Sequence, residues 1–212
     1  MAKRSPRLPL PRFLRASEGG SVVEFGLVLP VMALILMATV EFAHAIDNYR
    51  KVTLLARTVS DLTAQGGASD PMDTSTMTDI LASSKLVLTP FDSSRARIVV
   101  SALGVYPTTL SLKPYVCSSI ASNATARAAK AVASDLTVPQ GFQTAGMRYL
   151  LTEVTMPYKA SIGTSLINYL TGGTGYTFAV SLPWPARGGA TYNGTATEVT
   201  LPGGAPCPLT AP

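Results

Sequence analysis

A centre that moves protons needs a base, and this chain offers a single histidine, His44. It stands at the far end of a long apolar run, so a Ser-His-Asp or Cys-His arrangement would have no imidazole in the rest of the chain. The two cysteines, Cys117 and Cys207, lack a nearby histidine to complete a zinc set. Gly172-Gly173-Thr174-Gly175 lacks the Lys-Ser/Thr of a phosphate loop and suits a hairpin turn. Carboxylates are sparse in the second half (Asp92, Asp135, Glu153, Glu198), and spacing alone leaves only a glycosidase-type pair open. No catalytic residue, metal or cofactor is therefore expected.

Sharper chemistry lies near the start, in Gly19-Gly20-Ser21-Val22-Val23-Glu24-Phe25 and the apolar run behind it. A carboxylate at the bilayer centre costs roughly 2.5–3.5 kcal/mol, and less near the interface. Glu24 must therefore either meet a partner or snorkel into the headgroups. Glu41 follows 17 residues later, about 25 Å along a helix, at the opposite boundary. With His44 and Asp47 it would form a polar collar, serving the interface alone or a contact with another subunit. Pro30 can kink the helix or leave a backbone carbonyl free.

The element that positions these groups is a membrane helix. From Phe25 to Val40 there is no charge, and Val22–Ile46 runs 25 residues, about 37 Å as a helix against a hydrocarbon core of about 30 Å. Charged residues make up only 14% of the chain, and the mean hydropathy is +0.28, as expected if part of it lies in lipid. Lys3, Arg4, Arg7, Arg12 and Arg15 precede the run, with Glu18 the one acid among them. They carry most of the net charge of +5, so no basic patch is left downstream for a nucleic acid. Their position places residues 1–19 in the cytoplasm and the following domain outside.

Beyond the lipid, Ile46, Tyr49, Val52, Leu55, Val59 and Leu62 recur at helical spacing. Asp47 and Lys51 can pair one turn apart, and Gly66-Gly67 suits a helix end. The expectation is one rod from Val22 to about Ala64, its second part an amphipathic stalk. After a linker over Gly66–Pro71, Asp73 offers a cap for a helix reaching about Leu86. Strand patterns cover Arg95–Tyr106, Arg148–Tyr158, Tyr176–Leu182 and Ala190–Thr200. Ala-rich Ala121–Ala133 reads as helix, and Ile162–Leu170 as a short one. The fold class is thus α+β: a leader (1–19), a transmembrane and stalk helix (20–66), and an extracytoplasmic domain (67–212) with a mainly antiparallel sheet and short helices. Cys117 and Cys207 both follow the anchor. In an oxidising compartment they read as one disulfide, the alternative being two buried thiols.

The run Gly20-Ser-Val-Val-Glu-Phe-Gly-Leu-Val-Leu-Pro30, with Glu41-Phe42 near its far end, resembles the TadE/TadG-like family. These are minor pilin-like (pseudopilin) proteins of the tight-adherence (Flp) type IV pilus machinery. Thr89-Pro90-Phe91-Asp92, Val154-Thr-Met-Pro-Tyr158 and Pro183-Trp-Pro-Ala-Arg187 are weaker echoes. The resemblance implies a non-catalytic role in pilus assembly and adhesion, in the bacterial inner membrane or incorporated into a pilus. It implies a prepilin peptidase, other pilin-like subunits, the assembly platform and membrane lipid as partners, and no nucleic acid. Gly19 would precede the scissile bond and Gly20 would become the new N-terminus. Glu24, fifth in the mature chain, would meet the terminal ammonium of a neighbouring subunit, and Phe25, Pro30 and Glu41 would shape the helix contacts. The sequence departs from many pilins in carrying Gly20 where a bulkier residue stands.

Two other readings use the same residues. Ala43-His44-Ala45 fits the small-residue rule of a signal peptidase, although the apolar run exceeds a typical signal core. A signal-anchored envelope domain with a binding role unrelated to pili would keep the anchor without needing Gly19 or Glu24.

Overall fold

The computed structural model describes residues 20–66, 71–109, 111–160, 164–170, 172, 176–192 and 196–210. The leader with Gly19, most of the linker expected over Gly66–Pro71, and Gly173–Gly175 lie outside the described residues. The architecture is α+β, a long apolar N-terminal helix followed by a mostly antiparallel sheet with a few short helices.

The first helix, α1, spans Gly20–Ala64 and is 45 residues long. By compactness the chain divides into two units at His44 and Ala45, within this helix. In the first unit the helix is apolar on every face. Leu27, Leu34, Leu36 and Phe42 are all more than 60% exposed, which water would not favour. This is the one helix among the described residues long and apolar enough to cross a membrane. Thr39 returns its hydroxyl proton to the Ile35 carbonyl at 2.8 Å, so even this polar group is satisfied within the helix.

In the second unit the same helix becomes amphipathic. Val52, Leu55, Ala56 and Val59 are fully buried, whereas Ile46, Tyr49 and Leu62 of the expected stripe are largely exposed. The segment sketched from sequence as a stalk is thus a core element, packed with the sheet. Its end is fixed by backbone contact. The Arg187 and Gly188 amides both donate to the Ala64 carbonyl at 2.8 Å, satisfying a group that a helix terminus leaves open. Gly66 has φ +64°, and a Cβ there would lie 2.4 Å from the Gly189 nitrogen. Arg187 also reaches Asp61.

The helices α2 (Thr74–Ala82) and α3 (Ser84–Val87) follow, covering most of the stretch read as one helix, with Asp73 at the N-cap of α2. The strands are β1 (Arg97–Pro107), β2 (Leu112–Ser122), β3 (Ala131–Val132), β4 (Arg148–Tyr158) and β5 (Tyr176–Pro185). They form one sheet in the order β3-β2-β1-β4-β5. The helix α4 (Thr164–Leu170) links β4 to β5, and β6 (Ala190–Tyr192) with β7 (Ala196–Glu198) makes a separate hairpin. Two expectations are corrected. Leu112–Ser122 is a strand with no anticipated alternation, and Ala121–Ala133 is not helical. Asn123 and Lys130 have φ of +54° and +59°, which break a right-handed helix.

Strand alternation divides the core. Ile98, Val100, Ala102, Leu150, Val154 and Met156 form one core with α1, α2 and the C-terminal Val199 and Leu201. Leu103, Val105, Val116, Tyr149 and Leu151 form a second under the loop carrying Val138 and Phe142.

Candidate functional site

Two sets of residues carry distinct chemistry, one in each unit. In the first, Gly20 opens α1, and a Cβ on it would meet nothing within 4 Å. Glu24 follows one turn later on the same face and is exposed. Phe25 is 62% exposed. Pro30 sits inside the helix, so the Gly26 carbonyl loses the amide that would have closed its turn. Glu41 is half-buried. At 100° per residue it is turned about 100° from Glu24, so the two carboxylates face different directions.

In the second unit the chemistry is structural. Cys117 and Cys207 are bonded in the structure, their Cα atoms 4.8 Å apart and 90 residues apart in sequence. Cys117 sits at a β-bulge, skipped by a register that passes from Ala102–Ser118 to Leu103–Val116. The extra residue re-aims a side chain at that point. Beside the sulfurs, Arg148 and Glu198 are 7% and 2% exposed and meet at 3.3 Å. Two buried charges need further bonds to offset desolvation, and they have them. Arg148 donates to the Pro208 carbonyl at 2.9 Å and the Gly146 carbonyl at 3.1 Å, while Glu198 accepts the Cys207 amide. The guanidinium lies 5.1 Å from the Tyr106 ring centroid, and Tyr106 donates to the Pro208 carbonyl. Burial pushes the Tyr106 hydroxyl pKa above its usual value, partly opposed by Arg148. Gly104 makes room for all of this, since a Cβ there would come within 2.9 Å of the Arg148 guanidinium and 3.1 Å of the Cys207 sulfur.

A second ion cluster lies on the other side of the sheet. Arg127 grips Glu153 with two bonds, 2.6 and 2.7 Å, and Asp135 at 2.8 Å. The Glu153 hydrogen bond raises the pKa of Arg127 well above its ordinary value, and the Arg127 bond lowers that of Asp135. Burial pushes Tyr149 up to about 12. Each carboxylate of the sparse second-half set thus has a structural partner: Asp92 accepts from Ser94, Asp135 and Glu153 share Arg127, and Glu198 holds Arg148. Cys117, Cys207 and Glu198 lie within 4.8 Å of one another, but sulfurs bonded to each other offer no thiolate to a metal. The ion clusters had no sequence signal, because each depends on a pair far apart in the chain, Arg148 with Glu198 and Arg127 with Glu153. Only the scarcity of charge hinted that those present would be paired.

Sequence-singled residues therefore fall into two groups. Gly20, Glu24, Phe25, Pro30 and Glu41 share the apolar helix, Cys117 and Cys207 meet in the second unit, and Gly19 lies outside the described residues.

Among the described residues, one long apolar helix opens on Gly-x-x-x-Glu-Phe and leads into an α+β domain. The TadE-like protein family model matches residues 19–61. The match takes in the apolar helix and runs on through Asp61, well into the half of α1 that is buried in the domain. No curated protein and no solved structure matches the chain.

Proposed function

We propose that the protein is a non-catalytic pilin-like component that takes part in assembling tight-adherence (Flp) pili, held in the bacterial inner membrane by residues 22–46. The observation that carries the reading is a TadE-like segment whose apolar helix bears Glu24 one turn after Gly20. The basic leader stays cytoplasmic, and the disulfide-bonded domain belongs in the oxidising periplasm. A prepilin peptidase cuts after Gly19, freeing the Gly20 amine. The Glu24 carboxylate then pairs with the terminal ammonium of a neighbouring subunit, since two opposite charges in a low dielectric are costly singly and attract strongly together. Pilin-like subunits and the assembly platform are its partners.

The N-terminal mass of protein taken from host membranes tests this. A start at Gly20 supports processing, a start at Met1 leaves the unprocessed anchor standing without the proposed cut, and a start at Ile46 overturns the anchor. Glu24→Ala should leave insertion intact, because it removes a charge from lipid, yet abolish piliation; normal pili in that variant would remove the proposed role of the carboxylate.

A further inference from the structure

One end of the second unit gathers four aromatic rings. Tyr49 on α1, Tyr158 at the end of β4 and Tyr176 at the start of β5 all pack on the Phe178 ring, with centroids 5.6, 5.6 and 5.0 Å away. Phe178 is buried, but Tyr49 and Tyr176 remain 49% and 57% exposed. Arg50 follows Tyr49, Lys159 follows Tyr158, and Arg97 opens β1 opposite Thr155 at the same end of the sheet; all three are exposed. Two carboxylates oppose these cations. Asp47 pairs with Lys51 at 3.8 Å, and Asp92 accepts the Ser94 amide and hydroxyl. Arg50, Lys51, Arg95, Arg97 and Lys159 thus stand against Asp47 and Asp92, the latter facing Arg95 and Lys159, so positive charge is in excess at this end of the sheet, beside rings that are apolar in body and polar at the tip.

We propose that this face is a lipid-headgroup surface, which seats the second unit on an anionic bilayer. The inference rests on the membrane-anchored reading above. Three observations favour lipid over a protein partner. Tyrosine is the side chain that membrane–water interfaces collect, its ring among acyl carbons and its hydroxyl in water. Arginine and lysine beside it attract anionic headgroups. Tyr49 also comes only four residues after Ala45, the first residue of this unit, and the chain just before it is the apolar helix. A second copy is the weaker occupant, because a two-fold contact through this face would set Arg50, Arg97 and Lys159 against their own counterparts.

The test uses the full chain reconstituted in phosphatidylcholine vesicles with and without phosphatidylglycerol, probed with hydroxyl radicals and mass spectrometry. Leu209, 62% exposed and following the Pro208 carbonyl held by Arg148, serves as the reference. Oxidation of Tyr49 and Tyr176 relative to Leu209 should fall to well under half when phosphatidylglycerol is present. The Arg97→Glu/Lys159→Glu variant, altered only at exposed positions, should recover it. Equal oxidation in both vesicle types overturns the proposal. So does protection that follows protein density instead of anionic lipid, which would mean that a second copy covers the face. Flotation of the same vesicles in alkaline carbonate separates the two readings. Protein that fails to float overturns the anchor as well, whereas protein that floats with its tyrosines still oxidised overturns this inference alone.

Discussion

The two parts of α1, residues 20–44 and 45–64, are drawn from one unbroken helix yet obey different rules. In the first, apolar side chains stand open all round, and the acidic exceptions, Glu24 and Glu41, are carboxylates spaced along the axis. In the second, one face is fully buried while Arg50, Arg57 and Leu54 point outward. The buried face even carries polar groups, Asn48 and Ser60, whose side-chain oxygens find no hydrogen-bond partner among the described residues. The difference teaches that leucine and valine serve both parts: on all sides where no charge interrupts them, and on one face where Asp47, Arg50, Lys51, Arg57 and Asp61 break the run. Which face is buried is decided by the sheet that packs against it.

The largest expected effect sets one leucine of each part against the other. Leu55→Ala, in the fully buried face, should lower domain stability by about 2–5 kcal/mol, read from urea unfolding of the full chain in detergent. Leu34→Ala should leave that midpoint where it was, because its side chain is 63% exposed. Equal losses at both sites would erase the distinction.

Next comes the strap on which the buried part depends. Val199 and Leu201 share a core with α1, and the disulfide ties the chain just beyond them. Cys117→Ser with Cys207→Ser should cost about 2–4 kcal/mol in the same assay. A loss near zero would mean that the Arg148–Glu198 cluster pins the strap unaided.

Ser60→Ala should act in the opposite direction and by less. The hydroxyl is fully buried and unpartnered, so its removal should stabilise the domain by about 1 kcal/mol. A destabilised variant would place a partner there instead.

The smallest effect vanishes at neutral pH. Tyr149, on the sheet face away from α1, has a folded pKa raised to about 12 from 10.0. A raised value means that its contribution is complete below the unfolded pKa and disappears as pH climbs through the folded one. Stability should therefore fall from about pH 10 toward 12, and Tyr149→Phe should flatten that limb. The variant would leave alkaline sensitivity unchanged only if other groups set it.

Much of the fold was legible where local pattern and tertiary role agree. Arg148–Tyr158 is a strand over the expected residues because its alternating side chains are divided between two cores. The stretch around Leu112 was hidden for the converse reason. Pro114 and the serines at 118 and 119 give it no strand signature, and it extends because β1 pairs with nearly all of it. Ala121–Ala133 had the composition of a helix, but composition is a weak preference that tertiary context overrides. In the candidate site, the pilin-like residues were readable because they depend on spacing along one helix. Arg148 with Glu198, 50 positions apart, and Arg127 with Glu153, 26 apart, were not, because nothing local relates residues so distant in the chain.

The sequence alone determined the apolar helix, its basic flank and the carboxylate one turn inside it, because lipid imposes length and polarity on a single contiguous segment. Only the tertiary structure decided that the helix beyond Ala45 is core rather than stalk, which of its faces is buried, and that Cys117 and Cys207 meet beside a buried ion pair. Those outcomes depend on surfaces brought together across the chain, and burial is a property of both surfaces in a contact.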